Sequence, residues 1–299
     1  METAGIIGGG GFIGSYITKT FLTNGFKVKV LPMNGEPGVR HGHMKGFAQS
    51  VEICTRNVTD KKALREFVNG CHVVIHGGAP LNLDIREPKI QIVESTITET
   101  ENLLEVVKNT PGIRKVVLMT SVPDYNTNFG VPAKERIPYI AVDKTDPEFT
   151  HQTDHSSGRG KFIYNQVIEK FLQENPNLPF EVCSVSPTLV IGNVTPCLQD
   201  QAMGGSGLLF KNKIADPFVQ MLYDMNLPVV VMDAETIAEA VYKTAISSGL
   251  HGKNFLLSGE TFTVSDLSRM VNQQEPVQEG NVIYLNKLRR PIWAFGSGW

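Results

Sequence analysis

Hydrophobic and polar positions follow two alternating patterns over the first part of the chain. Short apolar runs rich in β-branched residues are typical of buried strands, and they occur at residues 5–8, 27–31, 51–56, 73–75, 114–119 and 180–185. Between them, apolar residues recur at helical spacing at 12–24, 59–70, 90–109 and 158–174. This alternation predicts an α/β fold with a doubly wound parallel sheet and helices on both faces.

The pattern becomes looser after Gly192. A strand is predicted there at 228–232, and helices are predicted at 235–247 and 265–272. We therefore predict a doubly wound core made of residues 1–192 and 228–257, with a smaller C-terminal lobe made of residues 193–227 and 258–299.

Composition and charge favour a small-molecule partner. The 299 residues contain 28 Lys and Arg against 30 Asp and Glu, without a long block of either sign. This balance gives no electrostatic reason to expect binding to nucleic acid or to a membrane surface. No apolar run approaches the roughly 18 to 20 residues that cross a bilayer. No signal peptide is visible, so we expect a cytoplasmic protein.

A glycine-rich turn stands between the first predicted strand and the first predicted helix. In Gly8-x-x-Gly11-x-x-Gly14, the glycines allow a tight turn and a close approach of the backbone to a ligand. The helix that follows offers free amide hydrogens and the positive end of its dipole. We expect this turn to hold the pyrophosphate of a dinucleotide.

Several motifs in the same order resemble one family. The glycine turn, with Phe12 and Ile13 inside it, is similar to that of extended short-chain dehydrogenase/reductases, in the NAD-dependent epimerase/dehydratase superfamily. More closely, the chain resembles the branch that contains dihydroflavonol reductase and cinnamoyl-CoA reductase. The other matching segments are Asn57-Val-Thr-Asp60, Val74-Ile-His-Gly-Gly-Ala-Pro80, Met119-Thr-Ser121, Ser186-Pro-Thr-Leu-Val-Ile-Gly192 and Met232-Asp-Ala-Glu-Thr-Ile-Ala-Glu-Ala240.

The resemblance implies a Rossmann core that binds NAD(P), a C-terminal lobe that binds a substrate, and reduction of a carbonyl group. It implies a catalytic tyrosine that donates a proton, a lysine one helical turn later that lowers the pKa of this tyrosine and holds the ribose, and a serine that polarises the carbonyl. Lys161 and Ser121 match the lysine and the serine. The implied cofactor contacts are Gly8, Gly11, Phe12, Ile13, Gly14, Asn57, Val58, Gly78, Ala79, Lys161 and Pro187.

The family tyrosine is absent, because Ser157 occupies the position four residues before Lys161. A serine hydroxyl is a far weaker acid than a phenol, whose pKa is about 10. Tyr164 lies on a similar helix face but about 10 Å further along the axis than Ser157. Other candidate donors lie in the long polar segment before the helix, and they are Tyr125, Tyr139, His151 and His155.

The type of dinucleotide is not selected cleanly. The second strand ends in Leu31-Pro32-Met33-Asn34, without the carboxylate that binds the ribose of NAD or the arginine that pairs with the phosphate of NADP. The missing carboxylate favours NADP. Asn57 replaces the adenine-contacting aspartate of the family, and Ser186 and Ile7 replace two further polar residues of its pattern.

These observations lead to a reductase-like NAD(P)-binding oxidoreductase that acts on a small carbonyl or alcohol. A non-catalytic NAD(P)-binding or interaction protein on the same fold stays open as the alternative. Non-redox chemistry that uses His151 and His155 is a third hypothesis. No metal site is predicted, since two loop histidines four residues apart would bind one metal ion together only if the segment were helical. A homodimer is an open expectation.

Overall fold

The computed structural model describes residues 1–32, 48–54, 58–77, 89–120, 156–192, 226, 228–257, 259–271 and 294–295. The strands are β1 Thr3–Ile7, β2 Lys27–Leu31, β3 Val51–Ile53, β4 Val73–His76, β5 Lys115–Met119, β6 Glu181–Pro187, β7 Leu189–Ile191, β8 Pro228–Asp233, β9 Asn254–Leu257, β10 Glu260–Thr263 and β11 Ala294–Phe295. The helices are α1 Phe12–Thr23, α2 Lys61–Val68, α3 Lys89–Lys108, α4 Ser156–Glu174, α5 Ala234–Ile246 and α6 Val264–Val271, and a 3-10 turn covers Ala48–Ser50.

The large sheet has eight strands in the order β11-β9-β6-β5-β4-β1-β2-β3. Only β11 is antiparallel to its neighbour, β9, and every other described pair in this sheet is parallel. The chain moves outward from β1 in one direction through β2 and β3, and in the other through β4, β5 and β6. The direction changes between β1 and β4, and doubly wound sheets bind ligands beyond the carboxyl ends of the strands at this point.

Two apolar layers cover the two faces of the large sheet, which confirms the doubly wound prediction. On one face, Ile17 and Phe21 of α1 pack with Ile237 and Val241 of α5. The other face is covered from α2, α3 and α4, and its fully buried residues include Leu64, Phe67, Leu103, Val107, Tyr164 and Ile168. These residues recur at helical spacing, so burial of one stripe per helix explains the pattern seen in the sequence.

Helix starts follow local capping chemistry. The Asp60 carboxylate accepts a hydrogen bond from the Lys62 amide at 2.8 Å, and the Asp233 carboxylate accepts one from the Thr236 amide at 2.7 Å. Each side chain satisfies an amide that has no partner within its helix. Helix α4 begins at Ser156, two residues before the predicted start, so that Ser157 lies inside the helix.

A second, three-stranded sheet has the order β10-β8-β7. The strand β8 belongs to this sheet, although its residues fall within the range that we assigned to the core. The strand β11 pairs with β9 in the large sheet, although it falls within the range assigned to the lobe. The division into a core and a substrate-binding lobe stays a prediction.

Four short strands were not predicted, namely β7, β9, β10 and β11. Each has only two to four residues, which is too short for a periodic signal. Within the described helices, none is long and apolar enough to cross a membrane. The described side chains also contain no group of three or more His, Cys, Asp or Glu that could hold a metal ion.

Candidate functional site

The glycine turn closes tightly between β1 and α1. Gly8 has φ +76°, a conformation that L side chains rarely adopt. Its amide donates to the carbonyl of Leu31 at 2.7 Å, and its own carbonyl accepts from the Gly11 amide at 2.9 Å. The turn is thus joined by hydrogen bonds to the end of β2 and to the start of α1.

The third glycine of the motif is required by a close backbone approach. A Cβ atom built on Gly14 would lie 1.9 Å from the Gly8 carbonyl oxygen, well inside van der Waals contact. Directly after β4, a Cβ atom on Gly77 would lie 2.9 Å from the Ile7 oxygen, which accepts a hydrogen bond from the Gly77 amide at 2.9 Å. The carboxyl ends of β1 and β4 therefore have space for backbone alone.

The glycine turn from Gly8 to Gly14 and the N-terminus of α1 together form a backbone cradle. The N-cap of α1 is Gly11, which provides no side-chain hydrogen bond to the first turn. The amides of Phe12, Ile13 and Gly14 have no acceptor within the helix, because the first turn of any α-helix lacks one. The Phe12 ring is buried against Ala234, so Phe12 can offer a ligand its backbone amide but not its ring. Uncapped amides with a positive dipole end can bind a phosphate group.

Helix α4 carries two of the three predicted catalytic positions. Ser157 and Lys161 are both within this helix, one turn and about 6 Å apart along its axis. The structure describes their backbone, and it describes side chains of this helix from Tyr164 onward. Because α4 connects β5 to β6, which are parallel, the helix runs antiparallel to the strands and its N-terminus lies at their carboxyl edge.

Tyr164 is fixed in the core and is not an exposed proton donor. Its side chain is 1% exposed, and its hydroxyl lies 3.2 Å from Nδ1 of His76, the last residue of β4. The two rings are stacked with centroids 5.8 Å apart. Burial lowers the pKa of His76 to about 4, so its imidazole is neutral at neutral pH. This position argues against Tyr164 as a substitute for the missing tyrosine.

A buried chain of neutral polar groups joins the carboxyl ends of β5 and β6. The hydroxyls of Thr120 and Ser186 are hydrogen-bonded to each other, and the Ser186 hydroxyl donates to Oδ1 of Asn254 at 2.9 Å. The Ser186 hydroxyl therefore joins Thr120 to Asn254. The Thr120 amide also donates to the Val185 carbonyl at 2.9 Å. Thr120 directly precedes Ser121, and Ser186 directly precedes Pro187.

The remaining predicted site residues divide into two groups. Val58 and Pro187 are buried, and Val58 packs in the apolar layer on the α2 side of the sheet, so its contact with a cofactor would be through its backbone. The predictions for the other residues lie outside the described part of the chain, and these residues are Asn57, Gly78, Ala79, Ser121, Tyr125, Tyr139, His151 and His155.

A family model described as the NAD dependent epimerase/dehydratase family matches residues 4–192. The chain belongs to this family. The matched residues run from β1 to the end of β7, and they include the glycine turn, α4 and the Thr120 and Ser186 members of the polar chain.

Relatives of this epimerase/dehydratase family member include named plant reductases. Cinnamoyl-CoA reductase CAD2 of Medicago truncatula is 25% identical over 82% of this chain and 74% of the relative. Cinnamoyl-CoA reductase 1 of Petunia hybrida is 28% identical over 65% of this chain and 55% of the relative. A bifunctional dihydroflavonol 4-reductase/flavanone 4-reductase of Pyrus communis is 21% identical over 92% of this chain and 77% of the relative.

Solved structures support the fold of this family member. The crystal structure of gox2253 aligns over 92% of this chain and 76% of that chain, with a TM-score of 0.70 and 19% identity. A UDP-glucose 4-epimerase from Thermotoga maritima aligns over 98% of this chain and 90% of that chain, with a TM-score of 0.65 and 16% identity. At these identities the likeness establishes the α/β fold and not the reaction.

Sequence reasoning missed two arrangements in the site. His76 lies in a segment that matches the family and Tyr164 was a candidate acid, but their pairing joins residues 88 positions apart. Ser186 was noted as a departure from the family pattern, and its partner Asn254 lies 68 positions away. Contacts of this range leave no periodic signal in a single sequence, so only the packed fold brings the partners together.

Proposed function

We propose that this protein is an NAD(P)-binding reductase that acts on a small carbonyl or alcohol substrate, with Ser157 in place of the usual catalytic tyrosine. The observation that carries the proposal is the backbone cradle at the switch point of the sheet, where Gly14 lies against the Gly8 carbonyl. This cradle fits a dinucleotide, because a close approach of backbone to pyrophosphate needs glycines and free helix amides. The reductase names of the plant relatives support the reaction class.

The cradle residues would hold the cofactor through backbone groups. Gly8, Gly11 and Gly14, with the amides of Phe12 and Ile13, would surround the pyrophosphate. The other proposed contacts are Asn57, Val58, Gly78, Ala79, Lys161 and Pro187. The buried Leu31 at the end of β2 offers no carboxylate to the adenosine ribose, which favours NADP over NAD.

Two protein positions have roles in the proposed chemistry, and the proton donor is a third that Ser157 does not fill. NAD(P)H, when bound, would supply the hydride. Ser121 would polarise the substrate carbonyl with its hydroxyl, and Lys161 would hold the ribose. Ser157 cannot replace a phenol as an acid, so a further donor must protonate the alkoxide that forms. Histidine can act as an acid near neutral pH, and His151 and His155 immediately precede α4 in the sequence.

The alternative is a dinucleotide-binding protein without turnover. The observation that favours it is the place of Ser157 inside α4, one turn before Lys161, which is the position that the family tyrosine would occupy. The motifs that match on both sides of Lys161 also argue against a shifted alignment that would restore the tyrosine. The use of His151 and His155 in non-redox chemistry remains a less favoured hypothesis.

Fluorescence titration of NADPH and NADH against the purified protein tests the first part of the proposal. We expect saturable binding, tighter for NADPH. Hydride consumption with a panel of small aromatic and aliphatic aldehydes and ketones then tests turnover. If neither NADPH nor NADH binds, both the reductase and the binding-protein hypotheses are contradicted. Binding without turnover across the panel favours the binding protein.

Restoring the tyrosine tests whether residue 157 lies at the reacting centre, where a phenol could again donate the proton. In a protein with turnover, Ser157→Tyr should raise the rate at least about tenfold, since a placed general acid typically contributes about 10² to 10⁴. Ser156→Tyr is the matched control, because the neighbouring residue points about 100° away around the helix. Equal rates for wild type and both variants would show that residue 157 is not at the reacting centre.

A further inference from the structure

Four residues of α4 form one stripe along the helix. Ser157, Lys161, Tyr164 and Ile168 follow the spacing of four, three and four residues that keeps side chains on one face. The C-terminal part of this stripe is buried, since Tyr164 is 1% and Ile168 2% exposed. The N-terminal part holds Ser157 and Lys161, two of the three predicted catalytic positions. Because both parts belong to one helix, whatever fixes the rotation of the buried part also fixes the rotation of the helix backbone at Ser157 and Lys161.

The contact between Tyr164 and His76 joins this stripe to the centre of the sheet. His76 is the last residue of β4 and pairs with Ile7 on β1 and with Leu118 on β5. Ile7 is followed by the glycine turn, and Leu118 lies three residues before Ser121. The imidazole thus stands between the strand that leads to the proposed pyrophosphate cradle and the strand that leads to the proposed catalytic serine.

The strength of the Tyr164–His76 contact depends on the orientation of both side chains, unlike that of the apolar packing around it. A buried hydroxyl and a buried imidazole each cost free energy unless they are hydrogen-bonded. Their bond at 3.2 Å and the 27° angle between the stacked rings fix both the distance and the orientation of Tyr164. Purely apolar contacts would tolerate small rotations of α4, whereas a hydrogen bond weakens steeply as its geometry is lost.

We propose that the Tyr164–His76 pair sets the rotation of α4 about its axis and so makes these two residues positioning residues for Lys161. The proposal rests on the reductase function proposed above. A helix with its side chains is about 10 to 12 Å across, so a rotation of about 20° moves a side-chain tip by about 2 Å. A misplacement of about 1 Å at a reacting centre can cost about 10² in rate.

Tyr164→Phe is the direct test, because it keeps the ring and removes only the hydroxyl. We expect kcat to fall at least about tenfold and the Kd of NADPH to rise several-fold. Tyr242→Phe is the matched control, since this tyrosine on α5 packs by its ring against Phe21 and Phe26 on the other face of the sheet. The control should leave both constants unchanged.

Substitutions at His76 separate positioning from a general loss of packing. The amide of asparagine stands close to where Nδ1 of histidine lies, so His76→Asn can keep a hydrogen bond to Tyr164, whereas His76→Leu cannot. We expect His76→Asn to retain more of kcat than His76→Leu. The double variant Tyr164→Phe/His76→Leu should be no slower than the slower single variant, because the pair is already broken in each.

Hydrogen exchange gives a readout that needs no cofactor. In Tyr164→Phe, amides of residues 164–172 should lose at least about tenfold of their protection, while those of α5 keep theirs. Unchanged exchange in α4 together with unchanged kcat and Kd would overturn the positioning role and leave the reductase proposal intact. A wild-type protein that binds neither NADPH nor NADH would instead overturn the reductase proposal, and the positioning role with it.

Discussion

The two edges of the large sheet are held together by different chemistry. At the amino edge, the Arg114 guanidinium donates two hydrogen bonds to the Glu2 carboxylate, at 2.9 and 2.7 Å, and a third to the Ala245 carbonyl at 3.1 Å. Beside it, Lys115 is 2% exposed and pairs with Glu181. Charged side chains close this edge and link β1, β5 and β6 to the end of α5.

At the carboxyl edge, the described contacts use glycines and neutral polar groups. Gly14 and Gly77 pack against the backbone of Gly8 and Ile7, with no room for a side chain, while Thr120 and Ser186 form hydrogen bonds in the core. A charged group here would compete with the cofactor phosphates for the helix amides, and a bulky one would fill the cradle. From this comparison we predict that the amino edge serves stability and that the carboxyl edge serves the proposed dinucleotide binding, and substitutions can test this division.

The pKa of the acidic groups at the amino edge reflects their partners. The hydrogen bond from Arg114 holds the pKa of Glu2 below its ordinary value. Burial by itself would raise the pKa of Glu181, but the hydrogen bonds from Lys115 and from the amides of Gly249 and Leu250 outweigh burial and lower the pKa. Both carboxylates therefore contribute stability that is present at neutral pH and is lost as pH falls through their lowered values.

The largest expected effect comes from Gly14→Ala at the carboxyl edge. Its Cβ would overlap the Gly8 carbonyl, which cannot move without opening the turn, so we expect a loss of about 3 kcal/mol of stability or more. NADPH binding should fall at least about 100-fold, about 2.7 kcal/mol. Gly112→Ala is the control at an open turn with φ +88°, where about 1 kcal/mol is expected. Thermal unfolding and NADPH titration check both. Retained tight binding in Gly14→Ala would contradict the cradle.

The second effect is a loss of stability in acid that depends on His76. The pKa of this histidine is about 4 in the folded protein against an ordinary 6.5, so below pH 6.5 the unfolded chain binds more protons. The contribution of His76 to the free energy of unfolding should be complete above pH 6.5. Below that pH it should fall by about 1.4 kcal/mol per pH unit, so that the loss reaches about 3 kcal/mol at pH 4. Urea unfolding of wild type and His76→Asn between pH 7 and 4 isolates this part by difference. Parallel pH curves for the two proteins would contradict it.

The third effect tests the amino edge through Lys115→Met. Removal of the ammonium leaves the Glu181 carboxylate without its cation and the Ser247 carbonyl without the donor that Lys115 provides at 2.7 Å. Glu181 is still 26% exposed and keeps two amide donors, so we expect a moderate loss of about 2 kcal/mol. The Kd of NADPH should stay within about twofold of wild type, a change below about 0.5 kcal/mol. A strong loss of binding would break the division between the edges.

The smallest effect concerns Ser186→Ala within the polar chain. The variant leaves Thr120 and Asn254 without the hydroxyl that joins them, at a cost of about 1 to 2 kcal/mol. Ser184→Ala is a control on the same face of β6, two residues further from the carboxyl edge. If Ser186 acts only in stability, both variants should bind NADPH equally. A selective loss of NADPH binding in Ser186→Ala would show that the hydrogen bonds of Ser186 also hold Pro187 in place.

The sequence by itself determined the doubly wound fold and the place of the glycine turn. Alternating β-branched runs and amphipathic stretches have periods of two and 3.6 residues, and glycines and caps mark their ends, so these features are local. The choice of Lys161 as the catalytic lysine, with Ser157 at the tyrosine position, rests on the same local order and stays a prediction. The boundaries were less accurate, since α4 begins at Ser156 rather than at residue 158.

Only the tertiary structure decided which polar residues meet in the core. The partners of His76, Ser186 and Lys115 lie more than 60 positions away in the sequence, on other strands or helices. Their pairing depends on strand order and register, which a single sequence does not encode in any periodic pattern. Tyr164 shows the difference plainly, since in the sequence it was a candidate acid, and packing made it a buried partner of a neutral histidine.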